Sequence, residues 1–493
     1  MAYLYATLGV LALGLTLSSL RVHWRAKAVD STFLYFVALT ILPSLAGLIA
    51  QLTGGRQVTV GFGGATTVSM SGAALAAASV TPALVLASAV TYLAARVRRE
   101  VRINTAAALL GVILVAGIFG HAHTTQGLPA GPSVLTYVAA APLLLAPRNL
   151  SGLFGSAHAL GVLMGLSGIA AILAPDAVMV ECDLRKCGPL GHLFSGASYN
   201  FNSFGMLAAL AVPVLYLGLS RFGLPVAFIA AILGLSSGSR TSQLAIILTF
   251  ALILVHSYTT HAHRRLVLPI FVVGVAGPAA LSVVLPFSGL DPVTFTGRSG
   301  LWDLALMRIA DYPLLGLGPD SWPALQATGD IARASAYSPH NQLLDVLFVG
   351  GAIGLLAFAV FVAHVVHSNR AHLTTILLLF APAATLSITE RPWSTGRLDW
   401  VSWSLFLTAS VWLNARATST AKAPRTPLGS VLQATHPQRK CATSDGLMRL
   451  RNEVSPVQTH SPGAGGWPGV VAVPDEIRRA SGGYPARSSR PER

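Results

Sequence analysis

FTGRSGLWDLALMRIADYPLLGLGPDSW (295–322) and, after a small-residue segment, SPHNQLLDVLFVGGAIGLL (338–356) decide how this chain is read. The first is a polar loop with Arg298, Asp303, Asp311 and Asp320; the second sets His340 at the mouth of an apolar helix. Outward from this insert nearly everything is hydrophobic. Of 493 residues, 53% are hydrophobic and 10% charged, with a mean hydropathy of +0.63. Soluble domains carry about a quarter charged residues, so the composition implies an all-α polytopic membrane protein.

A span needs about 20 apolar residues, and about 13 stretches qualify. They run over 2–20, 33–52, 71–95, 104–122, 133–147, 151–174, 202–220, 222–237, 241–259, 266–286, 341–366, 372–389 and 399–414. Residues 1–414 therefore read as the membrane domain, with its large polar loop at 287–340. Residues 415–493, rich in Pro, Gly, Ser, Thr and Arg, read as a disordered basic cytoplasmic tail able to touch anionic lipid. No fixed-period repeat, P-loop or glycine-rich dinucleotide fingerprint is present.

The net charge of +15 suggests nucleic acid, but its distribution does not. Of 33 Lys and Arg residues, 12 follow Asn414, and most others sit in short loops between apolar runs. If every candidate spans, the loops with Arg21, Arg25 and Lys27, with Arg96, Arg98, Arg99 and Arg102, and with Arg148, Arg221, Arg264, Arg265 and Arg370 share one side with the tail. The positive-inside rule makes that side cytoplasmic. The loops at 123–132, 175–201, 236–240, 287–340 and 390–398 are then extracytoplasmic. Cys182 and Cys187 share one of them and are compatible with a small disulfide or with two free thiols. The pairs His121/His123 and His261/His263 lie at helix ends, and no zinc-ligand spacing appears, so no metal or other cofactor is inferred.

Three basic residues fall at outer helix starts. Arg240, in SSGSR (236–240), precedes a span whose free N–H groups Ser237, Ser239 and Thr241 can cap. An arginine at such an end is suited to phosphate. Arg298 repeats the arrangement before an expected amphipathic helix over 300–311, with Ser299 as N-cap, Leu301, Trp302, Ala305, Leu306 and Ile309 on one face, and Tyr312-Pro313 as its stop. Such a helix is expected to lie on the outer leaflet. His340, after Ser338-Pro339 as N-cap and first helical residue, is placed to act as a neutral general base. Gly350 and Gly354 allow close helix packing. Asn200 and Asn202 can bind a sugar hydroxyl or cap their span, and Asn341 follows the candidate base. Glu390 and Arg391 open the last outer loop, as an internal ion pair or as substrate contacts.

The order GASYNFNSFGMLAAL (196–210), SSGSR (236–240), TGRSGLWDLAL (296–306), DYPLLGLGPDSW (311–322) and HNQLLDVLFVGGAIGLL (340–356) resembles the O-antigen ligase and polymerase superfamily. The resemblance covers roughly 195–366. It implies a GT-C-like, metal-independent, inverting glycosyltransferase of the cytoplasmic membrane with its active site on the extracytoplasmic face. Its donor is a glycan on a polyprenyl-diphosphate carrier, and its acceptor a saccharide or a lipid-linked glycan. Residues matching Arg240 and Arg298 bind the diphosphate, and the residue matching His340 activates the acceptor hydroxyl. Asn202, Asn341, Glu390 and Arg391 complete the expected substrate-binding set. The chain departs from the pattern in its long tail and odd span count. The rival class is a transporter or flippase of a polyisoprenoid-linked or anionic solute, which calls for charges near the midplane and paired broken helices. Asp345, one turn after His340, is a mild exception in a chain with few charges inside its spans.

Overall fold

A computed structural model describes residues 1–26, 28–53, 56–60, 66–97, 103–125, 127–129, 131–182, 186–198, 200–259, 263–327, 338–393, 403–411 and 413. The helices are α1 (Ala2–Arg25), α2 (Ser31–Leu52), α3 (Gly72–Val97), α4 (Thr105–Thr125), α5 (Gly131–Ala140), α6 (Ser151–Leu173), α7 (Pro175–Val178) and α8 (Phe201–Gly218). They continue as α9 (Gly223–Leu235), α10 (Arg240–Tyr258), α11 (Arg264–Val284), α12 (Thr294–Asp311), α13 (Ser321–Ala327), α14 (Gln342–Ser368), α15 (Leu373–Leu386) and α16 (Trp403–Ser410).

Among the described residues 9 helices are long and apolar enough to cross a membrane, and shorter apolar helices occupy Ser133–Leu145, Ser220–Leu235 and Arg370–Leu386. These fall on twelve of the candidate stretches. Of the last, 399–414, the described part is chiefly α16, and the tail lies outside the described residues. The chain is an all-α polytopic membrane protein, as the composition requires.

Two antiparallel hairpins interrupt the helices: β1 (Arg56–Val60) with β2 (Thr66–Met70), and, within the loop expected at 175–201, β3 (Met179–Glu181) with β4 (His192–Phe194). The second carries a Cys182–Cys187 disulfide, which the sequence left open.

The core is built where small residues let helices close up. In α1 and α6, a Cβ built on Gly9 would stand 2.9 Å from the Gly168 Cα, too close for any larger residue. Contacts at helix ends follow the loop-charge parity. At one end, Tyr5 stacks on Phe194 at 4.6 Å, Gln51 Nε2 donates to Ser198 O at 2.7 Å, and Ala197 N donates to Ser167 Oγ at 3.0 Å. At the other, Arg148 Nη1 meets His364 Nε2 at 3.1 Å, Asn104 Nδ2 donates to Ala409 O at 3.1 Å, and Ser151 Oγ donates to Asp30 Oδ2 at 3.0 Å.

Helix α14 is broken. Gly351 has φ 60° and ψ −160°, so the chain bends there in the left-handed region. The 313–318 turn fills the gap. Leu317 N donates to Phe348 O (2.8 Å), Gly318 N to Val349 O (3.1 Å), Ala352 N to Pro313 O (2.8 Å) and Ile353 N to Leu314 O (3.2 Å). Backbone groups freed by the break are thus satisfied by the loop rather than left bare in an apolar setting. On its other side the turn lies against α4 at Gly120 and His121. Gly350 and Gly354 face Ile113 of α4, the packing role expected of them. Gly351, between them, is the one that re-routes the chain.

Candidate active site

Helix α12 differs from its expected form at both its start and its apolar face. Its hydrogen bonding reaches back to Thr294, but Phe295 (φ 50°) and Gly297 (φ 86°) are left-handed, so regular right-handed backbone begins only around Arg298. Ser299 is not the N-cap. Its hydroxyl donates to the carbonyls of Asp291 (2.6 Å) and Thr294 (3.2 Å), lashing the entering loop to the helix. The apolar face does not lie on the outer leaflet. Trp302, Ala305 and Ile309 are buried with Leu317, Trp322, Leu344, Phe348 and Val349, so α12 packs on the turn and on α14. Burial of Trp302 against protein supplies what the amphipathic pattern sought in lipid. Tyr312 ends the helix, as expected.

This packing aims Arg298 at the end of α15. Its Nη1 donates to Thr389 O, and its Nη2 pairs with Glu390 Oε1. The second carboxylate oxygen, Glu390 Oε2, lies 3.1 Å from His340 Nδ1. Burial opposes charge on Glu390, yet the His340 hydrogen bond and the Arg298 guanidinium outweigh it and hold the carboxyl below the usual glutamate range. An ionised Glu390 only accepts, so Nδ1 of His340 carries the proton and, in the neutral ring, Nε2 carries the lone pair.

His340 is not in the first turn of α14. Asn341 is the N-cap, its Oδ1 accepting from Leu344 N at 3.1 Å, so Ser338-Pro339 do not cap this helix. His340 precedes the cap with φ 52°, in a region that non-glycine residues occupy at a cost of about 1–3 kcal/mol. Ser338 Oγ accepts from His340 N at 3.1 Å and helps to fix that conformation. Asn341, fully buried, also donates through Nδ2 to Ser282 O (2.9 Å) and Ile388 O (3.3 Å). The ends of α11, α14 and α15 are thereby tied together beneath the histidine.

Arg240 is exposed at the first position of α10. Its capping differs from the expected scheme: Ser239 occupies the N-cap but its hydroxyl meets Ser242 Oγ at 3.0 Å, while Ser237 Oγ accepts from Ser239 N. Thr241 Oγ1 lies 2.7 Å from Thr389 Oγ1. The residue after Arg240 thus touches the residue whose carbonyl receives Arg298. Arg298, Glu390 and His340 are in direct contact, and Arg240 is linked to them only through the Thr241–Thr389 contact of its neighbour.

The remaining candidates separate. Glu390 and Arg391 do not pair with each other; Arg391 Nη1 meets Asp345 Oδ1 at 3.2 Å, a largely buried pair that joins the segment after α15 to the first turn of α14. Asn200 caps α8 through Ser203 N at 2.8 Å, and Asn202 Oδ1 accepts from Lys186 Nζ at 3.4 Å. Thr389, Ser282 and Lys186 carry no local sequence signal, because their roles depend on contacts with residues distant in the chain. Among the described residues no group of three or more His, Cys, Asp or Glu side chains is placed to hold a metal ion.

The fold and site define a multi-pass membrane protein with a cationic and basic cluster at one end of its helices. Residues 225–359 match the family model described as O-antigen ligase, which supports placing the chain in the O-antigen ligase-like superfamily. The match includes Arg240, Arg298, His340 and the break in α14, and stops before Glu390. No curated protein and no solved structure matches the chain. The family suggests a membrane glycosyltransferase-like role in surface polysaccharide synthesis.

Proposed function

We propose that this protein transfers a glycan from a polyprenyl-diphosphate carrier to a saccharide or lipid-linked acceptor on the extracytoplasmic face of the cytoplasmic membrane. The observation that carries this reading is the His340–Glu390–Arg298 chain. Glu390 fixes the ring of His340 so that Nε2 receives the acceptor hydroxyl's proton. The freed oxygen attacks the anomeric carbon from the face opposite the diphosphate, the carbon–oxygen bond to the carrier breaks, and polyprenyl diphosphate departs with its electron pair. The product has inverted configuration. No metal is required, because Arg240 and Arg298 meet the charge on the leaving group. Arg298 spends two N–H groups on Thr389 and Glu390, and a guanidinium has five.

Asn341 and Arg391 act in this scheme as positioning residues, one capping α14 and one neutralising Asp345. Asn202 contributes through Lys186. The outer-face assignment is supported by the loop-charge parity and by the disulfide, which persists in oxidising compartments. A broken helix is also a transporter feature. In α14 the break is filled by the 313–318 turn, which favours a rigid site over an ion path.

The test compares wild type with His340→Ala, Arg298→Ala and Arg240→Ala in the native host, at matched protein level in the membrane. Loss of long surface glycan with carrier-linked precursor accumulating outside supports transfer. Surviving short-chain product identifies a polymerase, and free polymer lacking its anchor a ligase. Normal glycan in all three variants overturns the assignment, and precursor trapped inside indicates the flippase.

A further inference from the structure

Against the 236–238 turn that leads into Arg240, the Cys182–Cys187 hairpin carries a cation, Lys186, to which the reaction scheme above gives no contact with the substrate. We propose that Lys186 is a third contact to the anionic oxygens of the carrier's diphosphate, held in place by this disulfide. The inference rests on the transfer reading and names a further residue of the same site.

Three observations carry it. First, Lys186 is fixed: its Nζ reaches Asn202 Oδ1 at 3.4 Å and lies 5.1 Å from the centre of the Phe201 ring, so the chain leans along the first turn of α8. Second, the hairpin is seated on the turn that delivers Arg240. Phe194 N donates to Ser236 O at 2.9 Å, and a Cβ built on Gly238 would be 3.4 Å from the backbone carbon of Cys187. Lys186 adjoins that cysteine, and Arg240 lies two residues beyond that glycine. Third, the first turns of α8 and α10 interlock, with Gly205 pressed against Ser237 and Ser242, so Asn202 and Arg240 belong to one packed unit. Through Thr241 and Thr389 this unit continues to Arg298.

A flexible loop lysine would lose several rotamers on meeting phosphate. A disulfide closing the short loop that contains it reduces that loss before the ligand arrives, which raises affinity without adding a contact.

The experiment uses the full chain in detergent micelles with decaprenyl diphosphate, decaprenyl monophosphate and inorganic diphosphate as separate probes. Lys186→Ala is expected to weaken decaprenyl diphosphate about five- to tenfold, with Lys186→Arg restoring most of it. Reduction of wild type with dithiothreitol, or Cys182→Ser with Cys187→Ser, is expected to give a loss of similar size. Reduction of Lys186→Ala is then expected to add little. Loss for the lipid probes and not for inorganic diphosphate assigns the contact to the membrane-bound carrier; loss for all three assigns it to phosphate as such, and either supports the contact. Wild-type affinity in Lys186→Ala while Arg298→Ala binds weakly overturns the role of Lys186 and leaves the transfer reading standing. Wild-type affinity in both overturns the diphosphate reading and Lys186 with it.

Discussion

Nδ1 of His340 lies 3.1 Å from Oε2 of Glu390, across 50 residues of sequence, and the other oxygen of that carboxylate holds Arg298. One buried carboxylate thus orients the candidate base and anchors the candidate diphosphate-binding arginine. The arrangement follows the logic of a carboxylate-oriented histidine found on unrelated folds, where the acid sets the tautomer and ring position.

Removing the base and removing its orienter should therefore differ in degree. His340→Ala is expected to lower kcat by about 10²–10⁴-fold, the span of general-base contributions. Glu390→Gln keeps the shape but loses the charge, and about 10-fold or more in kcat is expected. Transfer of native carrier-linked glycan in isolated membranes reads both. Wild-type kcat in Glu390→Gln would remove the orienting role.

Acid should loosen the same network. The folded carboxyl of Glu390 sits below the ordinary glutamate range, so its ionisation stabilises the fold. That contribution is fully present above the unfolded value of about 4.3 and is lost as pH falls through the lower folded one. Thermal unfolding of solubilised wild type should drop below about pH 4.5 more steeply than that of Glu390→Gln. Parallel curves would count against it.

Gly351→Ala tests the break in α14. Alanine at φ 60° is strained, and its Cβ would overlap the Leu314 backbone. A loss of about 2–4 kcal/mol is expected, from backbone strain and a displaced turn. Gly354→Ala, where the nearest atoms stand at 3.5 and 3.8 Å, should cost far less. Melting temperatures of the two variants decide it.

The Asp345–Arg391 pair predicts a double-mutant cycle. Breaking a buried pair from one side costs about 3–5 kcal/mol, because a charge is left behind. Arg391→Met and Asp345→Leu should each destabilise the protein strongly, and the combination should recover much of the loss. Additive losses would show that the pair is not coupled.

Hydropathy alone marked out nearly every helix, because twenty apolar residues in a row have few alternatives in a membrane, where each helix satisfies its own backbone. It also pointed to Arg240, Arg298 and His340, since each stands at a polar-to-apolar transition that a linear reading can find. What the sequence could not determine was partnership. Glu390 was legible as a charge beside Arg391, yet it bonds to residues 92 and 50 positions away, and nothing local records that choice. The helix face around Trp302 was legible as amphipathic, but periodicity does not say whether its apolar side meets lipid or protein. The tertiary structure decided for protein, through the turn that enters the break at Gly351. These features depend on how separate helix ends meet, and that is fixed by packing across the whole bundle.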